Sequence, residues 1–349
     1  MSRHPLKAFR PYFIGQTISV FGDRITELAL PLTALSILGA SALQVAALSA
    51  VLWVPAFFSV LIGAWVDRQP WRRRILMACD VGRACLLGLI PLFHMLGCLN
   101  MANLYLVGFG VGCGSVVFSA AAPSYFVSLV EQKDYVRANS LISGSGAIAY
   151  VVGPAAAGWL IAILTVPNAF IIDAASFIVS ACFIARSRAY RRPQMEEESS
   201  AEVRPLFVES MKALVTLAHH PILRPILITT ASMNLANTAI LAILTTFLNR
   251  VLGFSASQIG MIFAIAGLGG VAGAVCANPL SNRLRLGAFT TVNYGIRPIG
   301  SLLGGALVSL IGFNYSFLLL AVGGSCLASF LIFSRVSRLH VVDEAHGSV

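Results

Sequence analysis

The 349-residue sequence is poor in charge: only 11% of its residues are Asp, Glu, Lys or Arg, against about 25% in a soluble domain. That shortage excludes an ordinary soluble fold. With no low-complexity run either, it excludes a disordered or collagen-like chain and a nucleic-acid binder. Site patterns are equally scarce. The seven cysteines (Cys79, Cys85, Cys98, Cys113, Cys182, Cys276, Cys326) show no CxxC spacing and no histidine at metal-ligand distance, so no metal site is expected and they read as small apolar helix residues. His219-His220 reads as a solvated pair. No Gly-x4-Gly-Lys-Ser/Thr loop exists to bind ATP, and no Ser-His-Asp or His-Glu-x-x-His pattern supports an enzyme, so neither catalytic residues nor a cofactor are expected. The first apolar stretch is too long and polar for a cleaved signal peptide.

What is abundant is apolar: 57% of the residues, arranged in runs of about 20, the length that crosses a bilayer as a helix. Runs bounded by basic or turn-rich breaks predict spans near 11–38, 43–66, 75–97, 102–122, 141–164 and 168–186. A polar connection, 187–222, follows with Glu196, Glu197 and Glu198; its part from Phe207 to Leu217 has the spacing of a helix lying on the membrane surface. Four more spans are expected near 225–248, 257–279, 289–312 and 315–334. The fold class is therefore an all-α polytopic membrane protein of about ten helices, six plus four. The domains are a bundle over 1–186, a cytoplasmic linker over 187–222, a shorter bundle over 223–336 and a tail over 337–349.

The net charge of +10 sits in alternate loops. Arg3, Lys7 and Arg10 precede the first span, and Arg68, Arg72, Arg73 and Arg74 follow the second. Lys133 and Arg137 follow the fourth, a large group from Arg186 to Arg224 follows the sixth, Arg283 and Arg285 follow the eighth, and Arg335 and Arg338 close the series. Arg250 is the exception. By the positive-inside rule both termini are cytoplasmic, in an inner (plasma) membrane.

The two parts repeat. Arg10-Pro11 opens the first span and Arg224-Pro225 the seventh (224 − 10 = 214); Ser41-Ala42-x-Gln44-Val45 opens the second and Ser255-Ala256-x-Gln258-Ile259 the eighth (255 − 41 = 214). Further on, Gly153 and Gly158-x-Leu160 match Gly300 and Gly305-x-Leu307 (300 − 153 = 147). The difference of 67 residues (214 − 147) is about two spans with their loops. It implies a second half without the counterparts of its third and fourth helices, the gap falling near Leu284 to Thr290.

These residues resemble a family. The loop Gly63-Ala-Trp-Val-Asp67-Arg68-Gln-Pro-Trp-Arg72-Arg73-Arg74 resembles the signature of the major facilitator superfamily, with Pro70-Trp71 where a glycine is usual. Ala149-Tyr-Val-Val-Gly153-Pro154-Ala-Ala-Ala157-Gly158 is similar to the Gly-Pro motif of its exporters. Gln16-x-x-Ser19-x-x-Gly22-Asp23, Asp80-x-x-Arg83 and Phe170-x-x-Asp173-Ala-x-Ser176-Phe177 look like the efflux branch that contains macrolide efflux proteins and the enterobactin exporter. The resemblance implies a secondary transporter of twelve helices shortened here to ten. It would be a monomer exporting a small amphipathic compound against protons by alternating access between two halves. An uptake carrier of the same fold and a non-transporting remnant or regulatory membrane protein remain open readings.

A charge inside a span costs several kcal/mol unless it has a partner, a wet cavity or a task. Gln16, Ser19, Asp23 and Glu27 step by 3, 4 and 4 and form one polar stripe on the first span. The stripe is expected to line the central cavity together with Asn234 and Asn237 of the seventh span. Asp23, Glu27 and Asp173 are the proton-coupling candidates; the alternative for the first two is an ion pair with Arg24, Arg297 or another buried base, and for Asp173 a capping or pairing role. Position 237, the counterpart of Asp23, is Asn, so a proton site would be one-sided. Gly63, Asp67, Arg68, Arg72 and Arg73 read as a gating loop. Asp80 and Arg83, three apart, are expected to join it as a latch at the cytoplasmic end of the third span. In the family the loop Asp faces the start of the eleventh helix, here around Ala288 to Asn293. Gly153, Pro154 and Gly158 are the hinge or close-packing motif, since small residues let helices approach and the proline frees a carbonyl. The partners are a small-molecule substrate, protons and the lipid bilayer.

Overall fold

The computed structural model describes residues 6–187 and 223–277, with 310, 312, 313 and 316. Among them every regular element is helical. The first span is α1 (Phe9–Ser36). The second is broken: α2 (Ala42–Trp53) runs through a 3-10 turn at Val54–Phe58 into α3 (Ser59–Asp67), because Pro55 has no N–H to continue the α ladder. Then come α4 (Arg72–Met95), α5 (Met101–Leu129), α6 (Tyr135–Leu164) and α7 (Val166–Arg186). Further along the chain are α8 (Leu223–Arg250) and α9 (Ala256–Ala277). Eight expected spans thus have a helix. The ninth and tenth, the linker helix, the tail, the gap near Leu284 and the latch partner at Ala288 to Asn293 lie outside the described residues.

Six helical stretches among the described residues are long and apolar enough to cross a membrane. The run of α1 is not one of them, because Asp23, Arg24 and Glu27 interrupt it. It is nonetheless central, packing along α7 and α6 and touching α2, α5, α8 and α9.

The packed helices have two apolar layers. One joins Leu28 and Leu32 of α1 to Val45, Leu87, Leu104 and Phe170. The other, at the end where the basic loops lie, joins Phe9 and Tyr12 to Leu76, Phe118, Tyr125 and Ile184. Between the two layers α1 and α4 place polar residues in or near the interior: Ser19, Asp23 and Thr26, then Asp80 and Arg83. They make a charged layer in the middle of the bundle.

The repeated Ser-Ala-x-Gln motif proves to be a capping box. Ser41 Oγ accepts from the Gln44 N–H while Gln44 Oε1 accepts from the Ser41 N–H (2.8 Å); Ser255 and Gln258 do the same (2.8 Å for the return bond). Each box satisfies donors that a helix start leaves unpaired. The preceding turn is copied too. Gly39 and Gly253 both take positive φ, and the bonds Ala40 N–H to Ala34 O (2.8 Å) and Phe254 N–H to Leu248 O (2.9 Å) close the same loop.

Candidate functional site

Three helices bring charge to one level because their lengths agree. Counted from the basic end at 1.5 Å per residue, Asp23 lies about 21 Å into α1, Arg83 about 16 Å into α4 and Asp173 about 20 Å into α7. Arg83 is the hub. Its Nη2 donates to Asp80 Oδ1, and its Nη1 lies 3.9 Å from Asp23 Oδ1. The guanidinium also sits 4.0 Å from the ring centre of Phe177 and 4.9 Å from that of Phe118, so ring faces replace part of the water it has lost.

Asp173 is fully buried and held by hydroxyls. Thr26 Oγ1 donates to its Oδ2, and Ser176 Oγ to its Oδ1 (3.1 Å). The approach of α1 that allows this is set by Gly22, where a methyl group would collide with Ser176 Oγ and Asp173 Oδ1. Gly114 on α5 makes the equivalent room for the Arg83 stem, its hypothetical Cβ falling 2.9 Å from Arg83 Cγ. Asp80 is also fully buried. The buried Ser180 hydroxyl lies beside Asp80 as a side-chain hydrogen-bond partner, and Arg83 Nε is buried without a hydrogen-bond partner.

The layer holds three carboxyl groups and one guanidinium. Arg24 does not change that balance, since it pairs with Glu27 at 2.6 Å. A buried charge is tolerated only when paired, so Arg83 cannot serve Asp23, Asp80 and Asp173 together. Chemically the arrangement can hold and release a proton, and can trade which carboxylate the guanidinium serves. Among the described residues no group of His, Cys, Asp or Glu could hold a metal ion.

The Major Facilitator Superfamily model matches residues 12–297. The chain belongs to the Major Facilitator Superfamily. Solved structures of the same fold include a bacterial homolog of the human lysosomal transporter Spinster, inward-facing and unoccupied, with TM-score 0.62 at 14% identity, covering 95% of this chain and 81% of that one. The nucleoside transporter NupG gives 0.56 at 11% identity, covering 93% and 98%. A bacterial homologue of the iron transporter ferroportin, inward-facing, gives 0.55 at 16%, covering 97% and 93%. No curated protein matches the sequence. Membership makes the chain a multi-pass membrane protein of a transporter superfamily, whose members are not enzymes.

Within this superfamily member the expected site residues divide. On the α1 stripe, exposure grows along the helix: Ser19 is buried, Asp23 is 35% exposed and Glu27 48%. The Gln16 Nε2 is buried without a partner. Asn234 is half-buried and donates to Thr230 O (2.9 Å), while Asn237 is exposed. The ion-pair alternative is present in both cases, but with Arg83 for Asp23 and Arg24 for Glu27; Arg297 lies outside the described residues.

Asp80 and Arg83 correct an expectation. A latch at the end of the third span needs them at the helix start, but α4 begins at Arg72, which puts Arg83 about three turns inside, among α1, α5 and α7. The rest of the loop stays at the helix ends. Asp67 and Arg68 are exposed, Gly63 faces open space, and Arg72 Nη2 donates to the Asp67 carbonyl (3.1 Å). Arg73 Nε donates to Ile184 O (3.1 Å) and its Nη2 to Ala185 O, a cation on the orphan carbonyls of the α7 terminus.

The Gly-Pro motif also splits. Gly153 faces the Arg24 stem. On the next face, a methyl group at Gly158 would strike the Ala256 carbonyl, one at Gly260 the Pro154 carbonyl, and one at Gly267 would lie 2.9 Å from the Tyr150 carbonyl. This seam joins α6 to α9 backbone against backbone. Sequence reading does not single out Thr26, Ser180 or the two aromatic faces on Arg83. The signal that could have found Ser180 is the helical spacing of Asp173, Ser176 and Ser180 on α7.

Proposed function

We propose that the chain is a proton-coupled exporter of a small amphipathic compound, drug-, macrolide- or siderophore-like, working as a monomer by alternating access in an inner membrane with both termini cytoplasmic. The observation that carries the reading is the charged layer: three carboxyls around one guanidinium at mid-bundle depth. A carboxyl that takes up a proton relieves the surplus negative charge, and Arg83 then serves the carboxylate that remains. Asp23 is the exchanging group, since it is half-exposed and loosely paired. Asp173 and Asp80 are the fixed partners, Glu27 is tied to Arg24, and Gln16, Ser19, Asn234 and Asn237 are cavity contacts. The Gly153-Pro154-Gly158 motif, seated on α9, supports the export direction. The domain plan of two bundles around a linker at 187–222 is part of this proposal.

The test is transport of ethidium and of a macrolide in vesicles with an imposed pH gradient. Gradient-driven movement in the export direction is expected for the wild type and its loss for Asp23→Asn. Movement in the opposite direction would select the uptake carrier. A well-expressed protein that moves neither probe in either direction would select the non-transporting remnant, the reading favoured by the 67-residue offset between the two halves.

A further inference from the structure

One donor of the Arg83 guanidinium has no acceptor. Nη2 is taken by Asp80 and Nη1 stands 3.9 Å from Asp23 Oδ1, but Nε is buried with no hydrogen-bond partner. Its surroundings are aromatic instead. The central carbon lies 4.0 Å from the ring centre of Phe177 on α7 and 4.9 Å from that of Phe118 on α5, and both rings are buried. They come from different apolar layers, Phe177 from the layer of Leu28 and Leu32, Phe118 from the one at the basic end. Helical spacing fixes what each ring stands beside. On α5, Phe118 follows Gly114 by four residues, so one face of the helix admits the Arg83 stem and then meets its head. On α7, Phe177 follows Asp173 by four residues and precedes Ser180 by three. At 1.5 Å per residue the ring is about 6 Å from the level of Asp173 and about 4.5 Å from that of Ser180, the hydrogen-bond partner of Asp80. It therefore stands on α7 between a carboxylate and the group that holds another.

We infer that Phe118 and Phe177 are positioning residues for Arg83, and that the Phe177 ring is the surface over which its guanidinium turns from Asp23 on α1 to Asp173 on α7. The inference rests on the proton-coupled reading above, in which Arg83 changes carboxylates, and adds how the change is made. A ring face attracts a cation without tying a donor to one acceptor atom. A bare apolar wall would leave the cation unpaired midway, which is costly in a buried layer, and a polar wall would hold it by hydrogen bonds of its own. The ring does neither. A planar guanidinium suits such a surface, because it stacks on an aromatic face while its edge donates to a carboxylate. When Asp23 takes up a proton its pull on Nη1 falls. Asp173, whose partners Thr26 and Ser176 carry no charge, is then the carboxylate that draws the guanidinium across the ring, with Asp80 beside the pivot. No covalent bond changes except that of the proton on Asp23.

The experiment replaces Phe177 by mono-, di- and trifluorinated phenylalanine in the full-length protein, held in phosphatidylethanolamine–phosphatidylglycerol nanodiscs. Added fluorines drain the ring face of negative charge while changing its size little. The thermal unfolding midpoint should fall with each fluorine, and in an Arg83→Met background the series should be flat. A flat series with Arg83 in place, or the same slope in both backgrounds, would overturn the positioning role. Fluorine NMR of the monofluorinated ring reads the turn itself. Its signal is expected to shift on Asp23→Asn, which imitates the protonated carboxyl, and the shift to be lost when Asp173→Asn is added. No shift in Asp23→Asn, or a shift that persists in Asp23→Asn/Asp173→Asn, would overturn the passage. If Arg83→Met does not accumulate, the slope with Arg83 in place and the two carboxylate variants decide without it. The proton-coupled reading fails by a separate signature: wild-type vesicles that move neither ethidium nor a macrolide under a pH gradient, while the fluorine responses stand.

Discussion

The helix pairs α1–α2 and α8–α9 share one plan and carry different chemistry. Both pairs turn through a positive-φ glycine, Gly39 or Gly253, into a Ser-Gln capping box, with corresponding turn hydrogen bonds. Yet where α1 has Gly22, Asp23, Arg24 and Glu27, the same positions of α8 hold Ala236, Asn237, Thr238 and Leu241. The scaffold is duplicated and the charge is not. Turn and cap depend only on local backbone needs, which both halves have. A buried carboxylate needs a guanidinium and hydroxyls from other helices, and Arg83, Asp173 and Ser176 come from α4 and α7 of the first half alone.

The largest effect expected from breaking this comparison is at its hub. Arg83→Gln leaves Asp80 buried and unpaired, which should cost about 3–5 kcal/mol. A marked drop in the thermal unfolding midpoint in detergent, with gradient-driven transport abolished, is the expected result, and an unchanged midpoint would refute the hub assignment. Next is Gly22→Ala. The added methyl meets Asp173 and Ser176, an overpacking of about 1–3 kcal/mol, whereas Ala236→Gly at the matching position of α8 removes a methyl and crowds nothing. Unfolding midpoints should therefore separate the two variants.

Smaller effects probe what the halves share. Gly39→Ala and Gly253→Ala force a side chain into the left-handed region, about 1–2 kcal/mol each, and the two should match. Ser41→Ala and Ser255→Ala remove one capping bond each, about 1 kcal/mol. Hydrogen exchange at the first turns of α2 and α9 should rise equally. Unequal responses at either pair would show that the turns are alike in sequence but not in the load they carry.

The repeat was legible because a capping box and a left-handed glycine leave fixed residue types at fixed spacing. The spans were legible because lipid demands apolar runs. The charged layer was only half legible. The stripe on α1 announced Asp23, and Asp173 stood out as a charge within a span. That Arg83 joins them depended on where α4 begins, and a start moved from 75 to Arg72 sets Arg83 nearly a turn deeper. The partners Thr26, Phe118, Phe177 and Ser180 are ordinary residues for a helix. Only the packing of α1 on α7, and of α4 on α5 and α7, gives them a role.

The seam between α6 and α9 has a mechanical meaning. Where Gly158, Gly260 and Gly267 bring main chain onto main chain, no rotamer can absorb a displacement. The two helices touch there with no side chain between them to act as a cushion. On the adjacent face of α6, Gly153 touches the stem of Arg24, the neighbour of Asp23, so one helix carries both the backbone seam and a contact to the charged stripe.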